Sequence, residues 1–557
     1  MAVPMDVILI QAVDDWLQSN PQGKMNGTKP DRAKIKEEIV NQTRLIIDAQ
    51  NALLTKTTRM KVPDRLANIQ IARIIQLVED VTCILGSEDA EASKLDLIGV
   101  YEDSGPNEGT YNTADLPLDQ LIKEYNFKAN ENDYKEVKGH LLDILDRKHR
   151  CLDPDLVAVG NGIFNYRTKQ LLPFDKNKIF LSKSHINYNP NAKNDVIHNP
   201  DDGTDWDVET WMSELSNDPE VVYLNWQVLG SVVRYLVRWH KCVFLFSRSG
   251  NSGKGTLCAV ARQLCGKGSC ASISLADFSN DFRLEELIRA NAVIVDENDV
   301  GLLIEKAANF KAVVTQDVLQ INPKYKRPVS VQPRCIVIQC VNELPRSKDK
   351  SGSFYRRQLF IPFDKDFSGV ERKYIKADYL QRQDVLEYIL YKVLTLMPDY
   401  YEFSEPEACK KLLEECKEAN DTTRQFLEDT LPQYRWDLLP DGFLYDAYKG
   451  WMKDNCPSGR ALHKSNFLEE VKEAVKNCSE WHYRFDKSGK KMWVRGIKRM
   501  CVEDPIAVEY CAYSKWVGSY NQGPPFMHVN KKFQGLERKV PRYYNGQYDD
   551  EDEDVNN

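Results

Sequence analysis

The chain has no C-x-x-C pair among its 14 cysteines, no apolar run approaching the ~18 residues of a membrane span, and no surplus of positive charge. Each absence excludes a class. Singly scattered cysteines rule out a ribbon-type zinc cluster, and Cys456, Cys478 and His482 match no standard finger spacing. Several cysteines, such as Cys242, Cys335 and Cys340, lie inside apolar runs as small core residues do, which reads as reduced thiols in a cytosol. With no long apolar run and no secretory leader, the expectation is a cytoplasmic protein without a membrane partner. A net charge of −8, part of it from the acidic run Asp549 to Asp554, offers nucleic acid no global attraction. Any basic surface must therefore be local. A length of 557 residues predicts about three or four domains.

What is present centres on residues 241–256, an apolar run that breaks into a glycine-rich turn ending on a lysine. Val243 to Phe246 reads as a buried strand, Gly250 and Gly253 let the backbone wrap a polyphosphate, and a helix follows from about Leu257 to Leu264. Lys254 would place a point charge on the β- and γ-phosphates while the helix N-terminus faces the same anion. Gly250, Asn251, Ser252, Gly253, Lys254, Gly255 and Thr256 are the expected ATP-binding set. Two positions depart from the usual G-x-x-x-x-G-K-[ST] loop. Arg248 stands where the first glycine belongs and Gly255 where the Mg²⁺-binding hydroxyl belongs, so Thr256, one place late, is the expected hydroxyl ligand. The Gly-Lys-Gly-Thr order is similar to that of adenylate kinases. A glycine-rich surface turn is the plain alternative.

The downstream sequence favours the nucleotide reading. Ala292 to Val295 reads as a strand ending on Asp296 and Glu297, the first placed to hold Mg²⁺ and the second to polarise an attacking water. Two alternating strands between Val318 and Val331 surround a turn with Lys324, Lys326 and Arg327, a hairpin whose basic tip suits a phosphate backbone. Cys335 to Val341 is another buried strand, ending on Asn342, which can reach a γ-phosphate or the lytic water. Arg356 and Arg357 precede a further short strand, as an arginine finger requires.

Elsewhere, residues 1–92 carry helical periodicity, 93–200 read as an α+β domain, 201–410 hold the strand and helix alternation around Lys254, 411–500 read as three helices and a two-stranded basic wing from Trp481 to Ile497, and 501–557 as a tail, in large part disordered, with an acidic end. The Asn-Gly of Asn161 and Gly162 marks a tight turn between strands. The wing's candidate DNA contacts are Arg484, Lys487, Lys490, Lys491 and Arg495.

Residues from about 95 to 500 resemble the phage and plasmid primase-helicase family, which is similar to the poxvirus primase-helicase and belongs to the superfamily 3 AAA+ helicases. The resemblance rests on the Asn-Gly-Ile-Phe and Tyr-Asn-Pro-Asn-Ala stretches before the motor, and on Lys254, Asp296 with Glu297, Asn342, and Arg357 with Arg356 adjacent, which match Walker A, Walker B, sensor 1 and the finger. It implies an α/β fold: an AAA+ P-loop motor behind an α+β domain and a helical N-terminal region, followed by a winged helix. It also implies ATP and Mg²⁺ as cofactors, a hexameric ring moving 3′ to 5′ on single-stranded or forked DNA, and Lys324 and Lys326 on the translocating hairpin. Origin duplex DNA is a further expected partner. No Asp-x-Asp strand followed by a strand-borne histidine is present, so priming would fall to a separate primase or polymerase. The expected role is replication of a phage or other mobile element in a bacterial cytoplasm. Two alternatives stay open: an origin-binding ATPase without unwinding activity, and a nucleotide kinase.

Overall fold

The computed structural model describes residues 3–20, 31–86, 96–280, 282–299, 303–304, 307–322, 329–347, 349–455, 461–476, 478–485, 494–495, 504–511 and 532–540. The chain divides into two compact units, Met1–Leu413 and Glu414–Asn557. Among the described residues, no helix is long and apolar enough to cross a membrane.

The first unit opens with helices Met5–Ser19, Arg32–Ala52 and Asn68–Val78. Asp31 caps the second by accepting the Lys34 amide at 3.1 Å, and Ile35, Ile39 and Ile47 form its buried stripe. Val81–Ile84 then pairs antiparallel with Leu97–Tyr101 and parallel with Arg147–Lys148. Helices Asp115–Tyr125 and Glu131–Ile144 share one apolar core with the first three, joining Val13, Ile39 and Ile75 to Leu121 and Leu141. The expected boundary at 92/93 therefore falls within one sheet and one core. Residues 87–95 lie outside the described residues, and composition alone does not mark a domain boundary there.

Leu156–Val159, Gly162–Asn165 and Gln170–Leu172 form an antiparallel meander, with the Asn-Gly turn where the sequence places it. Val157, Phe164 and Tyr188 pack into the same core as the elements that follow, so 93–200 is not a free-standing body.

That core is built on a five-stranded, wholly parallel sheet: β1 (Cys242–Phe246), β2 (Cys270–Ala271), β3 (Ala292–Val295), β4 (Ile336–Val341) and β5 (Gln358–Pro362), in the order β2-β3-β4-β1-β5. Every residue of β1, β3, β4 and β5 is buried, as parallel strands covered on both faces must be. Helix α1 (Lys254–Cys265) follows β1 and buries Leu257, Val260, Ala261 and Leu264. Between β3 and β4, Leu319–Ile321 and Val329–Val331 pair antiparallel, so the expected hairpin forms. Its tip, with Lys324, Lys326 and Arg327, lies outside the described residues.

The second unit holds helices Thr422–Thr430, Asp441–Asn455, Lys464–Ala474 and Pro505–Cys511 around Phe426, Trp436, Tyr448, Phe467 and Trp481. The three helices read from the sequence are all present. The wing differs: Trp481–Tyr483 does not pair with Val494–Arg495. Both pair with the C-terminal stretch, Trp481–Tyr483 with Gly535–Arg538 and Val494–Arg495 with Lys532–Phe533. Gly535–Arg538 is also the central strand of a sheet with Leu438–Pro440 on its other side. Residues 504–511 and 532–540 are thus structural parts of this unit, and the reading of 501–557 as a tail is corrected there. The partner of a two- or three-residue strand is chosen by long-range packing, which local alternation does not encode.

Candidate functional site

The site lies at the carboxyl end of the parallel sheet, where β1, β4 and β3 stand side by side and the loop from Ser247 to Gly253 crosses into α1. In an open parallel sheet this edge is where ligands bind. Asn251 and Gly253 both take positive φ, 52° and 91°. The left-handed backbone at Gly253 favours glycine, and a Cβ there would come within 2.7 Å of Leu215 Cδ2.

Helix periodicity aligns Lys254, Cys258 and Arg262 on one face of α1, and strand alternation aligns Cys340 with Asn342 on β4 and its end. Three rungs result. Lys254 Nζ donates to Asn342 Oδ1 at 2.7 Å and sits 3.4 Å from the carbonyls of Ser247 and Val341. Cys258 Sγ meets Cys340 Sγ at 3.4 Å. Arg262 donates through one Nη to both Asp296 oxygens at 2.9 Å, and through the other to the Ile294 carbonyl at 3.0 Å.

Lys254 is only 8% exposed, and that burial holds its ammonium below its ordinary value. Arg262 stays above its own, since the Asp296 carboxylate outweighs partial burial. Hydrogen bonding to Cys340, with burial, pushes the Cys258 thiol well up. Asn298 ties β3 to β4, its amide donating to Gln339 Oε1 and the Cys340 carbonyl at 3.0 Å each. From the far side, Asn251 donates to Glu371 at 2.9 Å and accepts the Phe367 amide on its carbonyl at 3.0 Å, which anchors the loop to the segment after β5.

The structure thus brings together Lys254, Asn342 and Asp296. Ser252 Oγ is buried and finds no hydrogen-bond partner among the described residues. Gly250 has open space around it, and a Cβ on Gly255 would meet Lys376 Nζ at 3.7 Å. Thr256 is half-buried in the first turn of α1, and Glu297 is exposed beyond Asp296. The two arginines part company: Arg356 is exposed, while Arg357 is half-buried, donates to the Ser353 carbonyl and has its pKa lowered by burial and by Arg356. In the second unit Arg484 pairs with the buried Glu537 at 2.7 Å. Lys487, Lys490 and Lys491 lie outside the described residues, as does the side chain of Arg495.

Sequence reading missed Cys258, Arg262 and Asn298. The four-residue spacing from Lys254 through Cys258 to Arg262 carries the signal, but an apolar helix face looks the same.

Three family models match the chain: "D5 N terminal like" over residues 70–215, "Poxvirus D5 protein-like" over 418–509, and a family of unknown function, DUF5906, over 245–357. Two of these models are D5-like, and their matches support a phage and poxvirus D5-like primase-helicase family for this chain. The first match spans residue 92 without interruption, in keeping with the sheet that crosses it. The DUF5906 match runs from the end of β1 to Arg357 and so encloses Lys254, Asp296 and Asn342. Among solved structures, the chain is similar to the apo NrS-1 C-terminal region. One form matches at 16% identity over 73% of this chain and 85% of that one, with a TM-score of 0.40. A second, spanning residues 305–718 of that protein, matches at 13% over 85% and 99%, with a TM-score of 0.41. At these scores the likeness carries no argument about fold or function.

Proposed function

We propose that the first unit is an AAA+ motor of superfamily 3 that hydrolyses ATP to translocate on and unwind DNA. The second unit would serve as its winged-helix DNA-binding domain. Matches to D5-like primase-helicase models support this reading, and one observation carries it: Lys254, at the start of α1, bonded at 2.7 Å to Asn342 just past the end of β4, with Asp296 and Glu297 just past the end of the neighbouring strand β3. A phosphate-binding lysine, a residue able to sense the γ-phosphate and a carboxylate pair are the parts that phosphoryl transfer to water requires.

The residues present fit a nucleoside triphosphate. The loop supplies its positive-φ backbone, the buried Ser252 hydroxyl and the first turn of α1. Lys254 would exchange its carbonyl contacts for phosphate oxygens, and Asn342, released from the lysine, would orient the water that Glu297 polarises. Asp296 and Thr256 would hold Mg²⁺, which neutralises phosphate charge when bound. Arg262 would then share Asp296. Arg356, exposed at the end of helix Gly352–Tyr355, is favoured over Arg357 as the finger, because Arg357 is turned back on its own helix. Six copies in a ring, with the Lys324 and Lys326 hairpins in the channel, would couple hydrolysis to one strand of DNA. The test is ATP hydrolysis with and without single-stranded DNA. Stimulation by DNA supports the motor, phosphate transfer to AMP would indicate a kinase, and hydrolysis without fork unwinding would indicate an origin-binding ATPase.

A further inference from the structure

Below the phosphate loop, three elements bring metal-capable side chains together. Cys258 on α1 and Cys340 on β4 hold their sulfurs 3.4 Å apart, and ligand atoms of Cys258, Cys340 and Asp296 all lie within 4.8 Å of one another. Both cysteines are buried, at 0% and 1% exposure, while Asp296 stands exposed at the rim and leaves a way in from solvent.

We propose that Cys258, Cys340 and Asp296 form a binding site for a thiophilic divalent cation of the zinc or cadmium type. The spacing suits such an ion. Zinc–sulfur bonds of about 2.3 Å in a tetrahedron separate two sulfurs by roughly 3.7 Å, so the pair need part by only a few tenths of an ångström. Cys258 sits on α1, Cys340 on β4 and Asp296 one residue past the end of the neighbouring, hydrogen-bonded strand β3, and the carboxylate gives a third donor with a fourth position open to water. Charge also balances. Two thiolates and a carboxylate against a dication leave one negative charge, and Arg262 supplies the positive one. Because both Asp296 oxygens accept from the same Arg262 nitrogen, one oxygen can turn to the metal while the other keeps the guanidinium, which the Ile294 carbonyl still anchors. Binding releases the two thiol protons to solvent. Mg²⁺, which demands oxygen ligands, does not compete for two sulfurs.

An occupied site would pin α1 to β3 and β4 and take an oxygen of the carboxylate assigned above to Mg²⁺. Inhibition of hydrolysis by zinc therefore rests on the proposed function, whereas metal binding does not.

The experiment titrates Cd²⁺ into the full chain, chelator-treated and reduced, without nucleotide, and follows thiolate-to-cadmium charge-transfer absorption with equilibrium dialysis for stoichiometry. Wild type should bind one tight Cd²⁺ that Cys258→Ala/Cys340→Ala loses together with the absorption. Asp296→Asn should keep the absorption and bind more than about tenfold more weakly. Equal tight stoichiometry in the double variant, or no tight Cd²⁺ in wild type, overturns the site. Should the double variant not fold, Co²⁺ bound to wild type decides: a tetrahedral spectrum with two thiolate ligands supports the site, and an all-oxygen or four-thiolate spectrum sinks it. Cd²⁺ bound as described, with ATP hydrolysis indifferent to it, would leave the site standing and count against the role given to Asp296.

Discussion

At the scale of single residues, the lysine and the two arginines make separable predictions. Lys254→Ala should lower ATP hydrolysis by about 10²-fold or more, because it removes a charge preorganised for the transferring phosphate. It should leave the thermal midpoint nearly unchanged, since the lysine's partners are carbonyls and an exposed amide. Near-normal turnover in a folded variant would move the site elsewhere. Arg356→Ala should cost about 10³-fold in hydrolysis with ATP binding intact, and mixing it with Lys254→Ala should restore part of the activity, as a finger acting across a subunit boundary requires. Arg357→Ala should instead cost about 1 kcal/mol of stability through its lost bond to Ser353, with a smaller effect on turnover. The opposite ranking in steady-state assays would return the finger to Arg357. Lys254, Asp296 and Asn342 were legible because a phosphate loop and strand-end polar residues interrupt apolar runs. Cys258 and Cys340 were not, since a buried cysteine in an apolar run looks like packing whatever faces it.

At the scale of elements, local pattern found the helix after the phosphate loop, the three helices of 411–500, the Asn-Gly turn and the 319–331 hairpin, because each is specified within a few residues, and it left helices such as Ala307–Thr315, Gln383–Tyr391 and Glu407–Asn420 unread. It failed where a strand's partner is distant. Gly535–Arg538 fills the middle of the second unit's sheet, with Leu536 fully buried. Arg538, 2% exposed, bonds Asp437 at 3.0 Å and the Tyr434 carbonyl at 3.0 Å and pairs with Glu480. Arg538→Met should therefore destabilise the second unit by about 3–5 kcal/mol, since Asp437 is left as a buried charge without its cation. Hydrogen exchange should show lost protection across 438–440 and 481–483, with β1 to β5 unaffected. Deleting 501–557 should do the same or worse. Unchanged protection after either change would make the C-terminal strand an accessory.

At the scale of the whole molecule, a chain with net charge −8 can bind DNA only through local basic surfaces. The salt dependence of binding measures how many there are. Each phosphate contact contributes about −0.9 to the slope of log affinity against log salt on duplex DNA, so Lys490→Ala/Lys491→Ala should flatten it by up to about two such steps. An unchanged slope and affinity would assign those lysines to a protein partner. Arg484, already paired with Glu537, is expected to contribute less.

The most direct test of a DNA-driven motor at Lys254 is a paired measurement on wild type and Lys254→Ala. It follows ATP hydrolysis with and without single-stranded DNA, beside unwinding of a fork with a 3′ tail. Wild type should show hydrolysis stimulated by DNA and ATP-dependent strand separation, and Lys254→Ala should show neither while remaining folded. DNA-independent hydrolysis with no unwinding by wild type, or equal activity in the variant, would contradict it.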